Sequence, residues 1–186
     1  IQYIMQAGAR ATREVFPEAL VAVHFANPEK ISNYWDYAKK LDYYSVDYDV
    51  FASSYYPFWH GSLTNLEKVL VDTKERTGRE VMILETSFPY TKEDGDFNGN
   101  SAGDTDELGN YFVSVQGQAQ AVRDVCASAA KAGALGICYW EGAWTPVPGA
   151  TKAEKQALWE AHGSGWATSY AGSYDPKDAG RYYGGS

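Results

Sequence analysis

Four short apolar runs punctuate the sequence: ALVAVHF at 19–25, DVFASSYY at 49–56, EVMILET at 80–86 and ALGICYW at 134–140. Near-continuous apolar segments of this length are what strands covered on both faces of a sheet require. Between them the apolar residues recur at helical spacing, and several of these stretches have readable ends. Asn27 and Pro28 offer an N-cap and a first-turn proline for EKISNYWDYAKKL. Leu63, Leu66, Leu70 and Thr73 trace one face of the next helix, with Gly78 as its stop. Phe112, Val115, Ala119, Val122, Cys126 and Ala129 trace a third face, ended by Gly133. Thr151 and Glu154 have capping-box spacing ahead of KQALWEA. The opening IQYIMQAGARATREVF reads as an amphipathic helix with no cap before it, and it lacks the basic and apolar regions of a signal peptide. The predicted order is α-β-α-β-α-β-α-β-α.

Buried strands alternating with helices at this period predict parallel strands joined by right-handed crossovers. No glycine-rich phosphate fingerprint follows any strand, which argues against a dinucleotide-binding fold. In a β/α barrel the reacting groups sit at the C-terminal strand ends. Those are the places where this sequence puts His24, then Tyr55, Tyr56 and His60, then Glu85, then Trp140 and Glu141. A complete eightfold barrel runs to about 250 residues, and four strand-helix units are visible in these 186. The expected fold is therefore α/β, a TIM (β/α)8 barrel represented by its last four strand-helix units. The expected organisation is one domain over 1–186, with an extension from about 145.

Composition narrows the chemistry. At 45% hydrophobic and 22% charged residues the chain can bury a core, and its net charge of −8 opposes a phosphate-backbone partner. Nucleic acid is not expected. No apolar run approaches the roughly 18 residues that span a bilayer. Cys126 and Cys138 stand in apolar company and are expected as two reduced thiols of the core rather than a bridge or a metal site. Fifteen Tyr, seven Phe and six Trp cluster in YYPFWHG, CYWEGAW and RYYGG. Flat apolar faces with polar edges suit sugar rings as well as ordinary packing.

Glu85 closes an apolar strand, and burying an isolated carboxylate is costly unless it is hydrogen-bonded or used. At a barrel strand end it could be a nucleophile, a general acid or a metal ligand, or a charge that simply reaches solvent. Glycoside hydrolysis usually needs two carboxyl groups, about 5 Å apart for retention and about 6.5–9.5 Å for inversion. Glu141 follows Trp140, but strand alternation turns it away from whatever Trp140 faces, which favours a structural role. His60, inside PFWHG, could donate to a sugar hydroxyl or be a satisfied structural histidine. His24, His60 and His162 lack the spacing of a metal triad, and Ser53, Ser54 and Ser87 lack a nucleophile-elbow context. The segment EDGDFNGN sets Asp94, Asp96, Asn98 and Asn100 at alternate positions with glycines at 95 and 99. Hard oxygen donors so spaced resemble the start of a calcium loop, although the terminal Glu of an EF-hand is missing and a solvated turn has the same composition.

The segments VMILETSFPYTKEDGDFNGN, SSYYPFWHG, QGQAQAVRDV, YWEGAW and GSGWATSYAGSYDPKDAGRYYGGS closely resemble glycoside hydrolase family 53, the endo-β-1,4-galactanases, over essentially the whole chain. The resemblance implies a retaining barrel enzyme with Glu85 as nucleophile. It implies Trp140 as a tryptophan stacked under a sugar ring, Tyr56 and His60 as the aromatic group beside the nucleophile, and Trp166 as a second platform. His24 joins them as a substrate-binding residue. The family's acid/base glutamate belongs to a GNE motif, which this sequence does not contain. Bacterial relatives hold calcium in the loop matching Asp94, Asp96, Asn98 and Asn100, so the resemblance implies a structural Ca2+. It also implies galactan or arabinogalactan as substrate, a secreted or cell-surface location, and a complementary N-terminal half-barrel as a separate chain or a second copy. The alternatives are a non-catalytic galactan-binding fragment and a hydrolase of another polysaccharide on the same scaffold.

Overall fold

The computed structural model describes residues 1–93, 103–142, 148–163, 168–174 and 176. They fall into two compact units, one of Ile1–Tyr90 with Glu107–Trp140, the other of Thr91–Asp106 with Glu141–Ser186. The first unit opens with α1 (Gln2–Val15), β1 (Ala22–Phe25) and α2 (Ile31–Tyr43). It continues with β2 (Val50–Ser54), α3 (Leu63–Thr77) and β3 (Glu80–Thr86), then a hairpin of β4 (Glu107–Leu108) and β5 (Tyr111–Phe112). It closes with α4 (Val115–Lys131) and β6 (Ile137–Tyr139). The main sheet has the order β1-β2-β3-β6 with every pairing parallel. Neighbours in the sheet are thus successive long strands of the chain. That is the order of a barrel arc, whereas a doubly wound sheet reverses direction partway.

Helices cover one face of this sheet. Val23, Phe51, Val81 and Ile83 from the strands share a single core with Tyr34, Ala38 and Leu41 of α2, Leu66, Val69 and Leu70 of α3, and Val125 and Ala129 of α4. Ser62 caps α3 by accepting from the Asn65 amide at 3.2 Å, and Gly78 ends it in the left-handed conformation at φ +64°. On the opposite face Ala22, His24 and Cys138 are exposed, while Ala52 and Ser54 of β2 are buried. Among the described residues β1 and β6 each pair with a strand on one side only.

Several expectations need correction. Asn27 is not an N-cap: it takes φ +62°, and the helix begins four residues later behind Lys30. The buried face of α4 runs through Ala121, Val125, Ser128 and Ala129; Ala129 lies where the apolar spacing puts it, whereas Val115, Ala119 and Cys126 are exposed. Phe112 is exposed and lies in β5, outside the helix. Cys126 and Cys138 are free thiols, but both are exposed, Cys126 on the outer face of α4 and Cys138 on the helix-free face of the sheet. The β4–β5 hairpin has no counterpart in the expected element order. Its two-residue turn begins at Gly109, at φ +61°, where a β-carbon would lie 2.9 Å from the Pro57 carbonyl oxygen, so glycine is required twice over.

The second unit contains α5 (Lys152–His162) and a short 3-10 helix, Ser169–Ser173. Thr151 and Glu154 form the capping box expected from their spacing. Where the sequence suggested an extension from about 145, this unit starts at Glu141 and also takes in residues 91–106.

Candidate active site

Glu85 owes its orientation to an irregularity in β3. Ser53 pairs with Ile83, yet the next residue of β2, Ser54, pairs with Glu85. On the other side Ile83 pairs with Ile137, and Thr86 rather than Leu84 or Glu85 is opposite Tyr139. Both registers say the same thing: β3 carries one extra residue at Leu84–Glu85, a bulge. Strict alternation from the buried Ile83 would aim Glu85 back at the helices. The extra residue puts it on the helix-free face, beside Ser54.

Across that face, His24 Nε2 lies 2.9 Å from Ser54 Oγ. In the register Ser54 stands opposite Glu85, while His24 stands opposite Ala52 and reaches along the same face to Ser54. Tyr34 Oη, 2.7 Å from Ser53 Oγ on the helix side, fixes the neighbouring serine the other way. Burial drives the Tyr34 phenol well above its ordinary pKa, which keeps it a neutral partner.

Tyr56 follows the end of β2 and donates its hydroxyl to Glu85 Oε1 at 2.6 Å. A hydrogen bond to a charged acceptor of that length is among the stronger ones. The preceding residue, Tyr55, continues the ladder, its amide donating to the Glu85 carbonyl at 2.8 Å. Its hydroxyl donates to the Gly61 carbonyl at 2.8 Å, and burial raises that phenol too. Between them, the chain from Tyr56 to His60 makes a turn in which the amides of Trp59 and His60 both donate to the Tyr56 carbonyl, at 3.0 and 2.9 Å. The Tyr56 amide donates in return to His60 Nδ1 at 3.0 Å. An N–H can only donate, so Nδ1 must present its lone pair and the ring is neutral. Burial holds the His60 pKa below the usual imidazole range, against the opposing pull of Glu29 and then Glu85.

Aromatic rings surround this group. Tyr56 sits 5.1 Å from Trp59 and 5.7 Å from Phe58, and Phe58 meets Phe88 edge-on at 6.1 Å. Trp59 is 53% exposed and Trp140 46% exposed. The Trp140 amide donates to the Thr86 carbonyl at 2.8 Å, and alternation along β6 from Ile137 carries its side chain to the Glu85 face. The residues expected at the site are thus divided. The fold brings Tyr56 and His60 to Glu85, sets His24 against Ser54 and places Trp140 on the same face. Trp166, Asp94, Asp96, Asn98 and Asn100 lie outside the described residues. Among the described residues no group of three or more His, Cys, Asp or Glu could hold a metal ion.

Ser54 and Trp59 also belong to this face, and neither stands out in the sequence. As a sequence position Ser54 can be weighed only as a nucleophile, because its place opposite Glu85 depends on register, which apolar runs do not specify. Trp59 stands inside a conspicuous motif, but an exposed ring cannot be told from a core ring by composition. The arrangement as a whole offers one carboxylate, oriented by a phenol, on an open face flanked by exposed tryptophans. That equips it to attack an electrophilic carbon held between aromatic surfaces.

Residues 1–176 match the family described as Glycosyl hydrolase family 53. The chain is 53% identical over 186 residues to the endo-beta-1,4-galactanase of Bacillus subtilis (strain 168), an alignment covering 98% of this chain and 43% of that protein. It is 30% identical over 162 residues to the arabinogalactan endo-beta-1,4-galactanase of Cellvibrio japonicus (strain Ueda107), covering 84% of this chain and 43% of that one. The Ignisphaera aggregans GH53 catalytic domain superposes with a TM-score of 0.70 at 32% identity, over 78% of this chain and 41% of that structure. The chain thus spans less than half the length of these relatives, in keeping with an arc of a TIM barrel.

Proposed function

The chain belongs to glycosyl hydrolase family 53, and from that premise we propose that it serves an endo-β-1,4-galactanase that cleaves β-1,4-galactan or arabinogalactan, as on pectin side chains, with retention of configuration. The observation that carries this reading is Glu85, turned by the β3 bulge onto the open face and held there by the Tyr56 hydroxyl. In the first step a Glu85 oxygen attacks the anomeric carbon, the glycosidic C–O bond breaks, and the leaving oxygen takes a proton from a second carboxyl group. In the next step that group, now a base, takes a proton from water, whose oxygen attacks the same carbon and releases Glu85. The second carboxyl group comes from polypeptide other than these 186 residues, together with the strands that complete the barrel along β1 and β6. It is covalently continuous or a separate chain. Without it these residues alone lose acid-base assistance, about 10²–10⁴-fold in rate.

Trp140 and Trp59, with Trp166, supply stacking surfaces for galactose rings, and the exposed His24 on the same face is a polar partner for the sugar. The four oxygen donors Asp94, Asp96, Asn98 and Asn100 have the chemistry of a Ca2+ loop that would order the segment beyond β3. A polymer substrate too large to cross a membrane places the enzyme outside the cell or on its surface. No helix among the described residues is long and apolar enough to cross a membrane.

The experiment is an assay of the complete barrel on β-1,4-galactan, with xylan, mannan and β-1,4-glucan beside it. Galactan should be cleaved, and Glu85→Gln should lose about 10³-fold or more in kcat. Chelation with EGTA should lower the thermal midpoint by several degrees, as loss of a ligand bound only to the folded state requires. Binding of galactan without cleavage would favour a carbohydrate-binding fragment, and cleavage of another polymer alone would reassign the substrate.

A further inference from the structure

The Tyr56 amide lies just past the last ladder bond of β2, in a residue that is 6% exposed. His60 supplies it with an acceptor through Nδ1 at 3.0 Å, while its own amide donates to the Tyr56 carbonyl at 2.9 Å. One residue thus grips both backbone groups of Tyr56, whose hydroxyl in turn meets Glu85 at 2.6 Å.

We propose that His60 is a positioning residue: its neutral ring is a latch that holds Tyr56 as hydrogen-bond donor to Glu85, and protonation of the ring opens the latch. The reason is elementary. An imidazolium carries a hydrogen on Nδ1, which would meet the Tyr56 N–H head on, so the bond cannot survive protonation. A buried amide is then left without a partner unless the turn moves, and Tyr56 moves with it. The titratable groups facing the ring are Glu29 from the loop before α2, Glu85 from the end of β3, and the phenols of Tyr55 and Tyr56 at ring distances of 6.3 and 5.7 Å. Burial keeps the ring neutral. The two carboxylates pull the other way, Glu29 more than Glu85. Glu29 keeps its buried Oε2 without a hydrogen-bond partner, while its Oε1 lies 3.8 Å from Lys30 Nζ. Its β-carbon also lies 3.5 Å from where a β-carbon on Gly61, next to His60, would stand. The latch therefore closes as pH rises through the His60 pKa and opens as pH falls through it.

This role rests on the galactanase reading for its kinetic consequence, but the latch has a readout of its own. In the complete protein, NMR titration of the His60 ring should show an unprotonated Nδ1 at neutral pH, with the Tyr56 amide shifting in step with ring protonation. On galactan, His60→Ala should lower kcat about 10–100-fold with KM changed less than about threefold. Asn places an amide oxygen near the Nδ1 position, so His60→Asn should recover all but about fivefold of kcat, and its acid limb should lie at lower pH than in the parent. Glu29→Gln removes a charge that favours the imidazolium, so the acid limb should again move down. A proton on Nδ1 at neutral pH, or an Asn variant no better than Ala with the parent's acid limb, overturns the proposal. Should the parent fail to cleave galactan, the functional reading falls while the titration still decides the latch.

Discussion

A carboxylate that must attack a carbon centre has to be both aimed and kept ionised, and Tyr56 provides the aim. Its hydroxyl, 2.6 Å from Glu85 Oε1, occupies one oxygen and leaves the other for the anomeric carbon. On the proposed mechanism, the negative charge on Glu85 disappears as the ester forms and the bond weakens, so the phenol would also make Glu85 a better leaving group in the second step. Tyr56→Phe removes only that oxygen and should lower kcat about 10–100-fold with little change in KM, as expected for a hydrogen bond to a charged group worth about 1.5–3 kcal/mol. Steady-state kinetics on galactan reads this directly, and a rise in KM with kcat unchanged would assign Tyr56 to substrate binding instead. Glu85 itself is legible in the sequence because an acid at the close of an apolar strand is conspicuous. The phenol that meets it is less so, since Tyr55 and Tyr56 are adjacent and alike, and only the end of β2 decides which one turns outward.

The strand that presents Glu85 is the element on which the site depends. EVMILET is read from sequence with its ends intact, residues 80–86, because its apolar run is bounded by turn residues. Its bulge is invisible at that level, since an extra residue in one strand is defined only against its neighbours. The same limit applies to α4: apolar spacing suggests a face through Val122 and Cys126, whereas packing selects Ala121, Val125 and Ser128 beside the expected Ala129. The β4–β5 hairpin leaves no trace in the pattern because each strand is only two residues long, too short for any period to show. Deleting Leu84 removes the extra residue, so Glu85 follows Ile83 directly and strict alternation keeps it opposite Ser54 on the open face. The expected outcome is galactan hydrolysis retained to within about tenfold in kcat, with the fold intact. Circular dichroism melting and the galactan assay check both halves. Loss of detectable hydrolysis in a folded deletion variant would mean that more than the residue count after Ile83 sets the direction of Glu85.

On the scale of the molecule, four parallel strands in sequential order, one face under helices and the other open, make an arc that needs further strands to close. The sequential order is legible in the α-β alternation, because parallel neighbours require crossovers and the crossovers are helices of readable length. What closes β1 and β6 is not, because an edge is a relation to polypeptide beyond the strand itself. An open edge pairs with whatever chain is at hand, so the completed barrel is the species whose chemistry matters. The central claim is that Glu85 forms an ester with a galactose unit, and trapping that ester tests it most directly. The completed barrel, treated with a 2-deoxy-2-fluoro-β-galactoside bearing a good leaving group, should accumulate one fluorogalactosyl adduct, and peptide mass spectrometry should place it on Glu85. An adduct on another residue, or none while the enzyme still cleaves galactan, would contradict the account.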